Sequence, residues 1–333
     1  MTRKSRVAIN GFGRIGRLTF RNLIQNEEVE VVAINDLADI EMLAHLLMYD
    51  SVHGKLPVGV SVTDQGLLVD GQSIKVYNEA NPANLPWGEL GIDAVIEATG
   101  CFVTKDSAGQ HITAGAGKVI ISAPAKDEVK TIVLGVNEKT LTSSDQIISN
   151  ASCTTNCLAP MVKVLDEAFG LEKGFISTIH AYTADQRLQD SPHKDFRRAR
   201  AAALSIIPTS TGAAVSVAKV IPSMKGKLDG IAMRVPIPNG SVTDFTAVLK
   251  TETTSAMVNE AFRKASENEL KGILEYSTAP LVSVDIVGNA HSCILDAPLT
   301  SVNEKLVKIV GWYDNEYGYS SRTAELVQLV ANL

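Results

Sequence analysis

Asn10-Gly11-Phe12-Gly13-Arg14-Ile15-Gly16 follows the short apolar run Arg6-Val7-Ala8-Ile9 and leads into Ile15, Leu18, Thr19, Leu23 and Ile24 at helical spacing. Strand, turn and helix therefore succeed one another within the first 24 residues. Gly11, Gly13 and Gly16 form G-x-G-x-x-G. The three glycines serve a tight turn, close backbone approach to a pyrophosphate, and close packing of helix on sheet. The N-terminus of such a helix presents unpaired N–H groups to phosphate oxygens. Val29 to Ile34 is a second apolar strand and completes a βαβ unit. Asp36 ends it, where a carboxylate can bind ribose hydroxyls and would repel a 2′-phosphate. The pattern points to NAD rather than NADP as cofactor.

Further strand-like runs at Ala94 to Glu97, Lys118 to Ser122, Thr131 to Leu134 and Gln146 to Ser149 extend the sheet. Residues 1–151 are thus expected to form a doubly wound α/β domain of the Rossmann type, with Pro82, Pro86 and Trp87 in an irregular loop. The texture then changes. Phe175 to His180 reads as a strand and the polar stretch Ala181 to Ala199 as a long functional loop. Strands are expected at Gly230 to Val235, Ser241 to Lys250, Leu281 to Val287, Ser292 to Leu295 and Lys308 to Trp312. Helical patterns lie near Gly212 to Val220 and Ser255 to Asn268. Residues 152–315 are therefore expected to form an α+β catalytic domain with a largely antiparallel sheet, and the chain to close with a helix over 316–333.

Composition narrows the function. The 333 residues are 45% hydrophobic and 20% charged, with a formal net charge of −6, so the basic footprint of a nucleic-acid or anionic-membrane binder is missing. No apolar run approaches bilayer length. The basic start, Met1 to Arg6, is followed by strand-like residues rather than a signal-peptide core, and a cytoplasmic location is expected. The four cysteines, Cys101, Cys153, Cys157 and Cys293, show neither a disulfide framework nor paired zinc spacing, so no metal is expected.

Cys153 lies in Ser149-Asn150-Ala151-Ser152-Cys153-Thr154-Thr155-Asn156-Cys157, between the strand-like Gln146 to Ile148 and the helical pattern Leu158, Met161, Val162, Leu165. A thiol in the first turn of a helix meets unpaired N–H groups and the positive end of the dipole, which favour the thiolate. The surrounding Ser, Thr and Asn side chains set it apart from a packing cysteine.

These two motifs together make the chain resemble the phosphorylating glyceraldehyde-3-phosphate dehydrogenases. The resemblance runs over essentially the whole length, through Ser191-Pro192-His193-Lys194-Asp195, Ser210-Thr211-Gly212-Ala213-Ala214, Met233-Arg234-Val235-Pro236 and Trp312-Tyr313-Asp314-Asn315-Glu316-Tyr317-Gly318-Tyr319. It implies that Cys153 is the nucleophile and His180 its base. It implies that Gly11, Gly13, Arg14, Ile15, Gly16, Asp36, Ser122 and Asn315 hold NAD. It further implies that Ser152, Thr154, Thr183, Arg198, Thr211, Gly212 and Arg234 bind glyceraldehyde 3-phosphate and inorganic phosphate. Arg198 and Arg234 are the cations, because guanidinium meets phosphate with two aligned donors. Thr211-Gly212 also has the look of a helix cap. The closing helix is implied to return to the first domain, and the assembly to be a homotetramer with the loop after His180 near a neighbour's cofactor. Ala80 and Ser191 depart from the family, where Arg and Leu are common, whereas Leu37 and Pro192 are of the NAD type. The implied reaction is oxidation of the aldehyde to 1,3-bisphosphoglycerate through a cysteine thioester. Erythrose-4-phosphate dehydrogenase, which shares the architecture, and a non-catalytic NAD-binding regulatory protein are the alternatives at this level.

Overall fold

The computed structural model describes residues 3–333; Met1 and Thr2 of the basic start lie outside the described residues. By compactness the chain divides into two units. The first comprises the residues up to Ile132, Lys139–Ala151 and Ser320–Leu333, and the second comprises Val133–Glu138 and Ser152–Tyr319.

In the first unit the strands are β1 (Ser5–Asn10), β2 (Val29–Asn35), β3 (Val60–Thr63), β4 (Gly66–Val69), β5 (Gln72–Tyr77), β6 (Ala94–Glu97), β7 (Lys118–Ile121), β8 (Lys130–Thr131) and β9 (Ile147–Ser149). They form one nine-stranded sheet in the order β3-β4-β5-β2-β1-β6-β7-β9-β8. Every neighbour from β5 across to β8 is parallel, while β4 runs antiparallel to both β3 and β5. Val7, Ala8, Ile9, Ala94, Val95 and Ile96 are all fully buried, as expected for central parallel strands covered on both faces. The helices are α1 (Arg14–Leu23), α2 (Ile40–Met48), α3 (Trp87–Leu90) and α4 (Lys105–Thr113). Trp87, expected in an irregular loop, instead opens α3 and packs fully buried against Ala8, Val32 and Val95.

A buried polar network ties the strand ends below the glycine turn. Asn35 Nδ2 donates to Asn10 Oδ1 (2.7 Å), and Asn10 Nδ2 donates to Glu97 Oε2 (2.6 Å). Trp87 Nε1 donates to His111 Nδ1 (3.0 Å), so the His111 proton sits on Nε2, 3.1 Å from Glu97 Oε2. The Thr99 amide and hydroxyl occupy the other Glu97 oxygen. Both oxygens of the buried Glu97 are thus matched by donors.

The second unit contains β10 (Leu171–Ala181), β11 (Ile207–Ser210), β12 (Leu228–Val235), β13 (Ser241–Leu249), β14 (Leu274–Ser277), β15 (Cys293–Asp296), β16 (Ser301–Asn303) and β17 (Leu306–Tyr313). Its eight-stranded sheet runs β11-β12-β10-β13-β17-β15-β14, with β16 on β17. Only β10–β12 and β14–β15 are parallel pairs. Helices α5 (Cys153–Phe169), α6 (Ala213–Val220) and α7 (Ser255–Glu267) belong here. Leu158, Met161, Val162 and Leu165 of α5 are fully buried, on the periodicity that the sequence displays. The final helix α8 (Tyr317–Ala331) returns to the first unit from Ser320 onward, where Asn150 Nδ2 donates to Thr323 Oγ1 (2.9 Å) and Gln328 Nε2 to Glu28 Oε2 (2.7 Å).

Several expected elements differ. Leu281 to Val287 is not a strand but a 3₁₀ turn at Ser283–Ile286. Asp285 Oδ2 takes the Val282 amide (2.8 Å), which closes the backbone locally and removes a ladder donor. The expected strand at Thr131 to Leu134 shortens to Lys130–Thr131, after which the chain enters a turn. The meander β3–β5, the helices α2 and α4, and the short strands β11 and β14 were not legible from their periodicity.

Candidate active site

In the first unit the glycine turn has the geometry its spacing implies. Gly11 has φ +92°, and a side chain there would meet the Thr99 amide nitrogen at 2.6 Å. A Cβ on Gly16 would meet the Gly11 carbonyl oxygen at 2.1 Å, which forces the tight return of α1 onto the turn. Gly13, the N-cap of α1, has nothing within 4 Å of an added Cβ and leaves the backbone open to an approaching group. Asp36 follows β2; its Oδ2 accepts the Phe12 amide (2.7 Å) and its Oδ1 accepts the Ala38 amide (3.0 Å). The carboxylate is thus fixed to the turn and retains lone pairs for ribose hydroxyls. Arg14 pairs with the buried Asp50 at 3.2 Å, and Ile15 is half-buried beside it. Burial pushes Asp50 up, but the His53 and Val52 amides and Arg14 outweigh it and hold the carboxyl at about 2. The buried Ser122 Oγ has no hydrogen-bond partner among the described residues, a hydroxyl left for a ligand.

In the second unit Cys153 is the first residue of α5. Ser152 caps the helix: its Oγ accepts the Thr155 amide (3.1 Å). Ala151, just before, holds φ +55°, a left-handed conformation costly for a residue with a Cβ, and so turns the chain sharply into the helix that carries the thiol. Cys153 Sγ lies 3.3 Å from His180 Nε2.

Strand pairing delivers the rest. β10 and β12 run parallel with His180 opposite Arg234. Arg234 Nη1 donates to the Ala181 carbonyl oxygen (3.0 Å) and to Thr183 Oγ1 (3.0 Å). Those bonds use both of its hydrogens, although His180 Nδ1 is also only 3.1 Å away. His180 Nδ1 therefore keeps its own proton and donates it to the Ala181 carbonyl oxygen at 2.7 Å. That leaves the Nε2 lone pair facing Sγ, the tautomer a base requires. The His180 ring packs edge-on against Tyr313 at 5.9 Å. The Tyr313 hydroxyl is held between Thr154 Oγ1 (3.0 Å) and Thr178 Oγ1 (2.9 Å).

The electrostatics correct one expectation. Burial pushes the Cys153 thiol above its ordinary value, against the pull of Arg234 and of the Thr154 hydroxyl and amide. Burial, then Arg234, depresses His180 to about 3. Each charge alone is opposed by the same desolvation. Both directions favour the neutral thiol beside the neutral imidazole; proton transfer from Sγ to Nε2 brings no net charge into the site, so the two groups can exchange the proton as a pair, with the α5 N-terminus favouring the thiolate end.

The cations are also in place. Arg198 Nε donates to Thr209 Oγ1 (3.0 Å), and Arg198 Nη1 pairs with Asp185. The buried Arg234 Nε has no partner among the described residues. Thr211 Oγ1 accepts the Ala213 amide (3.2 Å) and Gly212 caps α6, so the pair forms a helix start, with no hydrogen bond to either arginine among the described residues. Asn315 Oδ1 accepts from Ser241 Oγ (2.7 Å), which itself accepts the Ala181 amide (3.1 Å); this directs the Asn315 amide nitrogen away as a donor. The structure thus gathers Cys153, His180, Thr183, Arg198 and Arg234 directly. Sequence reasoning missed Asp185, Thr209, Tyr313 and Ser241; Tyr313 alone carried a signal, inside the motif around Asn315. Among the described residues no group of three or more His, Cys, Asp and Glu side chains could hold a metal ion, and no helix is long and apolar enough to cross a membrane.

A parallel-sheet unit with a glycine turn and an acid just after its second strand, followed by a unit with a Cys–His pair and nearby arginines, is the arrangement of a two-domain, NAD-dependent dehydrogenase. The chain belongs to the glyceraldehyde 3-phosphate dehydrogenase family: residues 5–105 match the model of its NAD binding domain, and residues 152–315 that of its C-terminal domain. It is 58% identical over 331 residues to the glyceraldehyde-3-phosphate dehydrogenase of Streptomyces coelicolor, covering 98% of each chain. It is 57% identical over 329 residues to that of Geobacillus stearothermophilus and 56% identical over 328 residues to glyceraldehyde-3-phosphate dehydrogenase 1 of Bacillus subtilis, again with 98% of each chain covered.

Proposed function

We propose that the protein oxidises D-glyceraldehyde 3-phosphate with NAD and inorganic phosphate to 1,3-bisphosphoglycerate, the glycolytic and gluconeogenic step, through a thioester on Cys153. The 3.3 Å approach of Cys153 Sγ to His180 Nε2 is the observation that carries this reading. His180 takes the thiol proton, the thiolate adds to the aldehyde carbon, and His180 returns that proton to the new alkoxide to give a hemithioacetal. As the hemithioacetal carbon gives up hydride, His180 accepts its hydroxyl proton, leaving a thioester that keeps the oxidation energy. NAD, when bound, supplies the hydride acceptor. Phosphate oxygen then attacks the thioester carbonyl, the C–S bond breaks, and Cys153 returns as thiolate. Arg234 and Arg198, with Thr183, Thr154, Ser152, Thr211 and Gly212, bind the two phosphates in this reading.

Cofactor binding is assigned to Gly11, Gly13, Arg14, Ile15, Gly16, Asp36, Ser122 and Asn315. The open backbone at Gly13, the anchored Asp36 carboxylate and the orphaned Ser122 hydroxyl fit a dinucleotide. Residues 1–151 with 316–333 are the cofactor domain in this assignment, and 152–315 the catalytic domain. Association into a homotetramer and a cytoplasmic location complete the proposal. The exposed Leu188 (79%), Phe196 (90%) and Leu204 (85%) in and beside the loop after β10 favour burial against another subunit. The test is NADH formation from the aldehyde with NAD or NADP, with and without phosphate, and with erythrose 4-phosphate as control. Phosphate-dependent NADH formation with the triose is expected; preference for the tetrose, or no turnover, overturns the assignment.

A further inference from the structure

Asp185 pairs with Arg198 directly and reaches Arg234 through Thr183, while Asp195 Oδ2 lies 3.7 Å from Arg198 Nε. Asp185 Oδ2 accepts from Arg198 Nη1, and its Oδ1 accepts the Thr183 hydroxyl proton. That same Thr183 oxygen accepts from Arg234 Nη1 at 3.0 Å, so Arg234, Thr183, Asp185 and Arg198 form one unbroken chain. Thr209 Oγ1, which accepts from Arg198 Nε, passes its own proton to Asp195 Oδ2 at 2.8 Å and steadies the guanidinium from the other side. Burial pushes Asp185 up, but the Thr183 hydroxyl and both guanidiniums prevail and hold it below the usual carboxylate range. It is an anion at neutral pH, sitting on the donors to which the proposed function assigns phosphate.

We infer that Asp185 is a built-in competitor for the anion subsite, occupying Arg198 and Thr183 until a doubly charged phosphate displaces it, and so rejecting singly charged anions. The inference rests on the reading that Arg198 and Arg234 bind phosphate. A monoanion that takes the place of one carboxylate exchanges like for like and gains little. A phosphate dianion brings a second charge and further oxygens, which can also engage the unpartnered Arg234 Nε. Discrimination of this kind comes from a repulsive element as well as an attractive one.

The experiment is calorimetric titration of the full-length protein with inorganic phosphate, without aldehyde, repeated in the presence of nitrate. In the parent, phosphate binds and nitrate competes weakly. Asp185→Asn keeps an oxygen acceptor but removes the charge. It should tighten phosphate by up to roughly fivefold, the scale of one partly exposed ion pair, and should make nitrate an effective competitor. Asp185→Ser, smaller and also neutral, carries the same expectation should the first variant fold poorly by circular dichroism. Asp185→Glu should keep the parent's discrimination, and Arg198→Ala should weaken phosphate. Weaker or unchanged phosphate binding in both neutral variants, with nitrate still excluded, overturns the proposal and makes Asp185 a strut for Arg198. Absence of phosphate binding in the parent also contradicts it. Failure of the parent to form NADH from the triose would instead contradict the catalytic reading and leave the anion result standing.

Discussion

Replacing His180 with Asn removes the base that faces Cys153 while keeping a polar side chain. In the parent, the lone pair of Nε2 stands 3.3 Å from Sγ, with Nδ1–H fixed on the Ala181 carbonyl oxygen. Without that acceptor the thiol must ionise alone, and burial pushes it above its ordinary value. A cysteine thiol at its ordinary value of about 8.5 is only about 3% thiolate at pH 7, and burial lowers that fraction further, so alkylation should slow by roughly 30-fold or more relative to a thiol that can hand its proton to His180. Turnover loses in addition the base that takes the hemithioacetal proton, and should fall by roughly 10²–10⁴-fold. The assay is stopped-flow iodoacetamide labelling of Cys153 between pH 6 and pH 9 beside steady-state NADH formation. The variant's labelling rate should climb about tenfold per pH unit up to the thiol's own titration, whereas the parent's should depend only weakly on pH. Equal labelling rates in the two proteins, or unchanged turnover, would refute the pairing argument.

Peptide mapping after brief alkylation should find Cys153 modified first, the exposed Cys101 more slowly, and the fully buried Cys157 and Cys293 last; faster labelling of Cys101 would show that exposure rather than pairing governs reactivity. Asp36→Ala should narrow the preference for NAD over NADP and, because the Phe12 amide loses its acceptor, should also raise the KM for NAD; comparison of kcat/KM for both cofactors decides, and an unchanged ratio contradicts the role given to the carboxylate. Asp50→Asn removes a carboxyl held at about 2 by amide bonds and Arg14. Since its folded value is depressed, its stabilisation is present above about pH 4 and is lost as pH falls through about 2. Urea unfolding should show the variant weaker by about 2 kcal/mol at pH 7, with the gap closing below pH 4; a gap independent of pH would assign the loss to packing.

What was legible in the sequence was local. The glycine turn, Asp36 and the capped start of α5 each depend on residues within a few positions of one another, so spacing alone exposes them. The pairing of His180 with Arg234 depends on a parallel register between β10 and β12, strands 54 residues apart at those positions, and periodicity carries no such information. Asp185 stood among many polar residues of a loop with no period. Glu97 at the end of β6 and His111 in α4 meet only through the fold, and the apolar run before Glu97 discloses only a strand. The run Leu281 to Val287 has strand-like composition but lost its ladder to the Asp285 side chain. The thiol's direction was misjudged for a similar reason: the helix start is visible in sequence, and the burial that opposes it is not.

The central claim is that oxidation passes through an acyl group on Cys153. The most direct measurement is mass spectrometry of the protein quenched after mixing with NAD and glyceraldehyde 3-phosphate in the absence of phosphate. A 3-phosphoglyceroyl adduct on the Cys153 peptide, formed with one NADH and discharged when inorganic phosphate is added, is the predicted result. NADH formation with no adduct, an adduct on another residue, or an adduct indifferent to phosphate would contradict the account.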